Sequence, residues 1–279
     1  MPGNRRIPQV QTGVGSGPRA RPPEAALDIE TPTRIMHHMW TTDGASLDRS
    51  RRAHTSLVDL AYEALAESVL DRYYAPGTRV TIESLAKQLD MSITPVREAL
   101  SRAAANGLVT LDANRGYRIA TMLTEREFHE IFAARRVLEL EALRSAAIQP
   151  YTIKRLTDIV ESMPTLDHGP MYRTFRAFNR EDHHFHRTLV ELSGNRFLLR
   201  AWDSLNFHLQ ISRFYAGQGV IDFADALGEH AAIAEAVANH DNRGAIKTAQ
   251  AHISNAERRL AALIPGTAFP TAPGTPAPT

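Results

Sequence analysis

Between Thr81 and Gly107 the chain reads TIESLAKQLDMSITPVREALSRAAANG. Two short helical patterns lie here with only DMS between them. Thr81 is a good N-cap, and Leu85, Ala86 and Leu89 recur at helical spacing behind it. In the second pattern Thr94 is the expected cap, Pro95 suits the first turn and Gly107 ends the helix. Two helices on so short a link must cross and share one small core, which is the helix-turn-helix arrangement. An upstream helix over 57–72 supplies further apolar residues, and Ala75-Pro76-Gly77-Thr78 separates it from the pair. Downstream, LVTLDANRGYRIA alternates into and out of a polar turn, predicting a β-hairpin wing.

In this arrangement the helix from Thr94 lies in a major groove with its N-terminal residues at the base edges. Arg97, one turn in, has the fork to reach a guanine, and Arg115 at the wing tip suits a phosphate or the minor groove. The competing reading makes both arginines solvated surface charges. Bulk charge does not decide, because residues 55–120 carry seven Lys/Arg against eight Asp/Glu and the whole chain is +1.

PGTRVTIESLAKQLDMSITPVREALSRAAANGLV resembles the DNA-binding domain of the GntR family of bacterial transcription regulators. The resemblance implies that Arg79, Thr94, Arg97 and Gly116 occupy DNA-contacting positions. One departure stands out: Ile93 replaces the arginine that usually lies between the Ser and Thr of the family motif, so the operator sequence cannot be borrowed from relatives.

Beyond residue 120 the pattern is helical throughout. Thr124-Glu125-Arg126-Glu127 is a capping box opening a helix to about Ala147, and further helices are expected over 152–163, 170–193, 196–216, 222–240 and 242–263. Short breaks between them predict an antiparallel bundle. The fold class is therefore mostly α: a winged helix-turn-helix domain over 55–120, then an all-α bundle over 121–264. Residues 1–54, rich in Gly, Pro, Arg and Thr, and the Pro-Thr-Ala-rich 265–279 are expected to be disordered tails. Met36 and Met39 offer later translation starts.

The bundle contains EDHHFHRTLVELSGN from Glu181. On a helix Asp182 and His186, four apart, stand on one face, with His184 turned outward and His183 at the margin. His230 and His252 each sit at apolar-face spacing in their own helices. One Asp and three His from three helices would make an N₃O metal site suited to zinc, nickel, iron or manganese. Taken singly, an inward histidine is more ordinarily a hydrogen-bonded core residue, and Asp182–His186 an ion pair. The chain has no cysteine, which excludes thiolate sites and disulfides. His183, His184 and His240 read as solvated or helix-end residues, and spacing gives His208 no role.

The resemblance extends here. FNREDHHFHRTLVELSGN and GEHAAIAEAVANHD look like elements of the all-helical effector domain (FCD) of FadR-type GntR regulators, whose metal-binding members hold a divalent metal, zinc first among the candidates, with Asp, His, His and His at these places. That implies Asp182, His186, His230 and His252. EIFAARRVLELEAL resembles the stretch whose first arginine faces the effector, which maps to Arg135; the plainer alternative is a surface pair with Glu139. The implied function is a cytoplasmic homodimer that binds double-stranded operator DNA and responds to a small carboxylate effector. A metal-dependent enzyme acting on an organic acid is the competing class. No apolar run approaches the roughly 20 residues of a membrane span, so no membrane partner is expected.

Overall fold

The computed structural model describes residues 56–264 save Asn114 and Ala216. The expected tails, the two methionines and His37, His38 and His54 lie outside these residues. Helix α1 (Leu57–Leu70) opens on a reciprocal cap between Ser56 and Asp59. Strand β1 (Arg79–Val80) precedes α2 (Ile82–Leu89), which starts from the Thr81–Ser84 capping box and ends at Asp90 in the left-handed region. Helix α3 (Ile93–Ala105) is capped by Ser92 rather than Thr94. Thr94 is already helical and exposed. Pro95 fits within the first turn because the amide it lacks would have no intrahelical acceptor there.

The wing is β2 (Val109–Asp112) paired antiparallel with β3 (Gly116–Ile119). β1 adds to the other side of β3, giving the order β1-β3-β2. A two-residue strand shows no alternation in sequence, so β1 was invisible to periodicity. Leu65, Leu70, Leu85, Val96, Leu100, Leu108 and Ile119 close the core of this half.

The second half contains α4 (Glu125–Arg144), α5 (Pro150–Ser162), α6 (Tyr172–Glu191), α7 (Arg196–Ser204), α8 (Phe207–Ser212), α9 (Phe223–Ala238) and α10 (Asn242–Ala261), with 3-10 turns over 163–165 and 213–215. The Thr124–Glu127 capping box opens α4 as its sequence predicts. α10 packs against both α4 and α9, and α6 against α4, α5 and α7. The span 196–216, expected to be one helix, breaks at Asn206, whose φ of 46° is left-handed. Asparagine tolerates that conformation better than most residues. The break turns α8 so that Phe207 and Phe214 meet Phe132 and Phe128 of α4, at ring distances of 4.9 and 5.7 Å.

One hydrophobic cluster runs through both halves. Polar contacts bind them too. Asn206 Nδ2 donates to the Ala105 carbonyl at 3.2 Å. The buried Arg213 donates to the carbonyls of Thr121, at 3.0 Å, and of Gly107. No helix among the described residues is long and apolar enough to cross a membrane.

Candidate metal centre and DNA-reading face

Three histidines on three helices meet inside the bundle. His186 (α6), His230 (α9) and His252 (α10) each bring one ring nitrogen to within 4.8 Å of the others. The rings are 0%, 0% and 3% exposed, so neither water nor bulk ions screen them. Asp182, one turn before His186, places Oδ1 3.4 Å from His230 Nε2 and 3.8 Å from His186 Nε2. The two facing Nε2 atoms are 3.2 Å apart. In a tetrahedral zinc site with bonds of about 2.0–2.1 Å, ligand atoms stand roughly 3.3 Å from each other. His186, His230 and Asp182 stand near that spacing, and with His252 within 4.8 Å the donor set fits a divalent cation.

The surroundings prepare these lone pairs. Burial opposes charge on Glu139, yet Arg135 and His186 hold its carboxyl well below the usual carboxylate range. An ionised Glu139 accepts, so His186 must donate through Nδ1, at 3.0 Å, which leaves Nε2 free of a proton. Trp202 Nε1 and Arg135 Nε donate to the other Glu139 oxygen at 3.0 and 2.7 Å. His252 Nδ1 meets Glu229 Oε2 at 2.8 Å, and Arg259 and Asn255 hold that carboxylate in turn. His230 differs, because its buried Nδ1 has no partner.

Burial, then the nearby Arg135, pushes His186 down to about 4. Burial and then His252 take His230 well below the ordinary histidine value. Both rings are thus neutral at pH 7, as metal ligands must be. Asp182 stays ionised against its own burial chiefly because His208 pairs with it at 2.8 Å.

Two expectations change. Arg135 and Glu139 do pair, but not at the surface: they are 2% and 0% exposed. Arg135 also places Nη2 2.7 Å from His186 Nε2 and stacks its guanidinium 4.2 Å from the Phe207 ring centre. A cation at the centre needs that same His186 lone pair, so the guanidinium must then turn toward whatever else the ion holds. His208 also gains a role that spacing did not give it. It is 4% exposed and its Nδ1 lies 2.8 Å from Asp182 Oδ2. The signal was hidden because His208 reaches Asp182 only through the bend at Asn206. Glu229 was legible in principle, since a carboxylate next to an inward histidine faces the neighbouring helix.

His183 is half-buried at the margin, edge-on to His208 with ring centres 5.0 Å apart, while His184 and His240 lie further out.

On the first half, Thr94, Arg97 and Ile93 are exposed at the start of α3, Ile93 to 44%. Arg79 Nε donates to the Arg115 carbonyl at 2.6 Å, holding the wing tip, and the Arg115 side chain is exposed. Gly116 has a φ of 93°, and a Cβ there would come within 3.0 Å of the Val80 carbonyl. Glycine at this position is thus explained by the approach of β1 to β3, apart from any contact with a ligand.

A winged helix-turn-helix joined to an all-helical half is the architecture of a DNA-binding transcription regulator. The chain belongs to the gntR family of bacterial regulatory proteins: residues 57–119 match that family and residues 130–255 match the FCD domain. Relatives include a protein named "Probable D-xylose utilization operon transcriptional repressor" from Paenarthrobacter nicotinovorans, 32% identical over 58% of this chain and 70% of its own. The gluconate operon transcriptional repressor of Bacillus subtilis is 27% identical over 66% of this chain and 76% of its own. Two other curated relatives are matched over 66% of their length, just under two thirds. The fold is shared with E. coli McbR/YncC, at a TM-score of 0.54, 19% identity, and coverage of 74% of this chain and 97% of that one.

Proposed function

We propose that this protein is a metabolite-responsive regulator whose helical half binds a divalent metal and, through it, a small organic-acid effector that alters affinity for operator DNA. Asp182, His186, His230 and His252 would hold the metal, zinc first among the candidates, with nickel, iron and manganese next. Bound there, the metal supplies open positions for a carboxylate. Arg135 would take the other end of that acid by a charge-assisted fork. The observation that carries this reading is the convergence of three buried imidazoles and one carboxylate, two of the rings held in the ligating tautomer by Glu139 and Glu229. A gluconate operon repressor among the relatives supports a carboxylate effector.

On the DNA side, Arg97 and Thr94 would meet base edges, while Arg79, Arg115 and Gly116 would set the wing against the backbone. The protein would act as a homodimer, because paired half-sites lie about 34–36 Å apart and a small rotation of two readers changes their fit. The test is metal content by mass spectrometry together with operator gel shifts, with and without chelator, over a panel of organic acids. The expected result is bound metal near one per chain and a metal-dependent change in operator affinity with at least one acid. Metal-free protein with unchanged DNA binding throughout would overturn the proposal.

A further inference from the structure

The pocket beside the candidate metal ligands is small. Lined by Arg135, Asp182, His208 and His252, it holds about 30 Å³, room for little more than a water molecule. No effector the size of an organic acid fits it as it stands. A second cavity of about 370 Å³ lies between the two halves of the chain, within the range of small-molecule sites. Asn179 and His208 line both cavities and so form a shared wall. From the reader half, Glu63 of α1, Arg102 of α3 and Asn106 at the end of α3 line the outer cavity; from the sensor half, Arg176 and Arg180 of α6 do so, so three guanidinium groups face one carboxylate there.

The wall carries an unused polar atom. His208 is 4% exposed, and its Nε2 has no hydrogen-bond partner. Nδ1 is taken up by the Asp182 carboxylate at 2.8 Å, so Nε2 is the ring atom left to meet a ligand. A ligand hydroxyl, which can donate or accept, is its natural partner. Asn179 is held in place by Ser212 Oγ, which donates to its Oδ1 at 3.0 Å.

The arginines are not bare charges. Arg102 pairs with Asp59 at 2.8 Å, Arg180 with Glu181 at 3.2 Å, and Arg176 lies near the buried Glu67. A guanidinium has five N–H donors, so such pairs leave donors for an anion.

We propose that the inner pocket and the interdomain cavity are two chambers of one effector site, which takes an extended hydroxylated dicarboxylate. One carboxylate lies at Arg135 and the ligand cage, a hydroxyl meets His208 at the wall, and the second carboxylate reaches the arginines of the outer chamber. This rests on the function proposed above and adds what the effector must look like and how it signals. A ligand of that length touches Arg102, on the helix whose first turn would read DNA, and Asn106, which caps its end. The far end of that helix is also gripped by Asn206 and Arg213, which flank α8 and its His208. Filling the outer chamber therefore changes the seating of α3 directly.

The experiment is isothermal titration of the full, metal-loaded chain with four probes: glucarate, gluconate, adipate and acetate. Glucarate is expected to bind at least tenfold tighter than gluconate, which lacks the second carboxylate, and severalfold tighter than adipate, which lacks the hydroxyls. In R176E/R180E, and more mildly in R176Q/R180Q, the glucarate-to-gluconate ratio should fall toward one. Equal binding of glucarate and gluconate by the native protein, or an unchanged ratio in both variants, would overturn the two-chamber site while leaving the metal-held acid intact. Equal binding of glucarate and adipate would remove the hydroxyl at His208. Failure of all four acids to bind would sink the proposed function, and this inference with it.

Discussion

Glu139 illustrates how much of the centre depends on residues that would never touch a metal. It holds His186 in one tautomer, neutralises the buried Arg135 and accepts from Trp202. Glu139→Ala should lose about 3–5 kcal/mol of stability, because it strands a buried cation. Glu139→Gln keeps the shape and should weaken metal affinity roughly 10–100-fold, read by competition with a chelating dye. An unchanged affinity would mean that His186 does not ligate. The neutral state of His186 has a pH signature in chelator-treated protein. An unfolded histidine gains its proton near 6.5, and the folded one only at about 4. Between those values the unfolded chain binds more protons, so stability is full above pH 6.5 and falls on acidification. The melting temperature should drop from pH 7 to pH 5, and a flat profile would contradict a buried neutral ring. At this scale the four candidate ligands were legible, because i,i+4 spacing and apolar-face position survive in sequence. Glu139 and His208 were not, because each acts across helices, and Glu229 showed only through its place directly before His230.

At the scale of elements, the helix starts were the most readable feature. The capping boxes at Thr81 and Thr124 announce their own geometry through side chains three residues apart. α3 is capped two residues before the expected position because Ser92 and Thr94 are both competent caps, and the chain uses Ser92 without a side-chain bond. The bend between α7 and α8 was missed because neither Gly nor Pro marks it. Asn206 carries the bend in a left-handed conformation that a β-branched residue resists by roughly 1–2 kcal/mol. Asn206→Val should therefore lower the melting temperature and, by shifting His208 from Asp182, weaken metal binding as well. Asn206→Gly should largely spare both. If the two variants behave alike, the bend is not what delivers His208.

For the whole molecule, the two halves were legible as separate patterns, and their attachment was not. Contacts such as Arg213 with the carbonyls of Gly107 and Thr121 join residues about a hundred positions apart, where no local pattern points. Arg213→Ala should leave metal content near that of the native chain. It should, however, reduce the effect of an active acid on operator affinity, measured as the ratio of operator Kd with and without it. A full response in the variant would place the coupling elsewhere. The apolar cluster that runs unbroken from Leu65 to Leu260 also bears on how such proteins can be taken apart. Grafting the N-terminal half onto a foreign helical domain would bare the apolar seam that the second half covers here, so chimeras should aggregate unless the seam residues travel with it, and calorimetry of the native chain should show one peak rather than two.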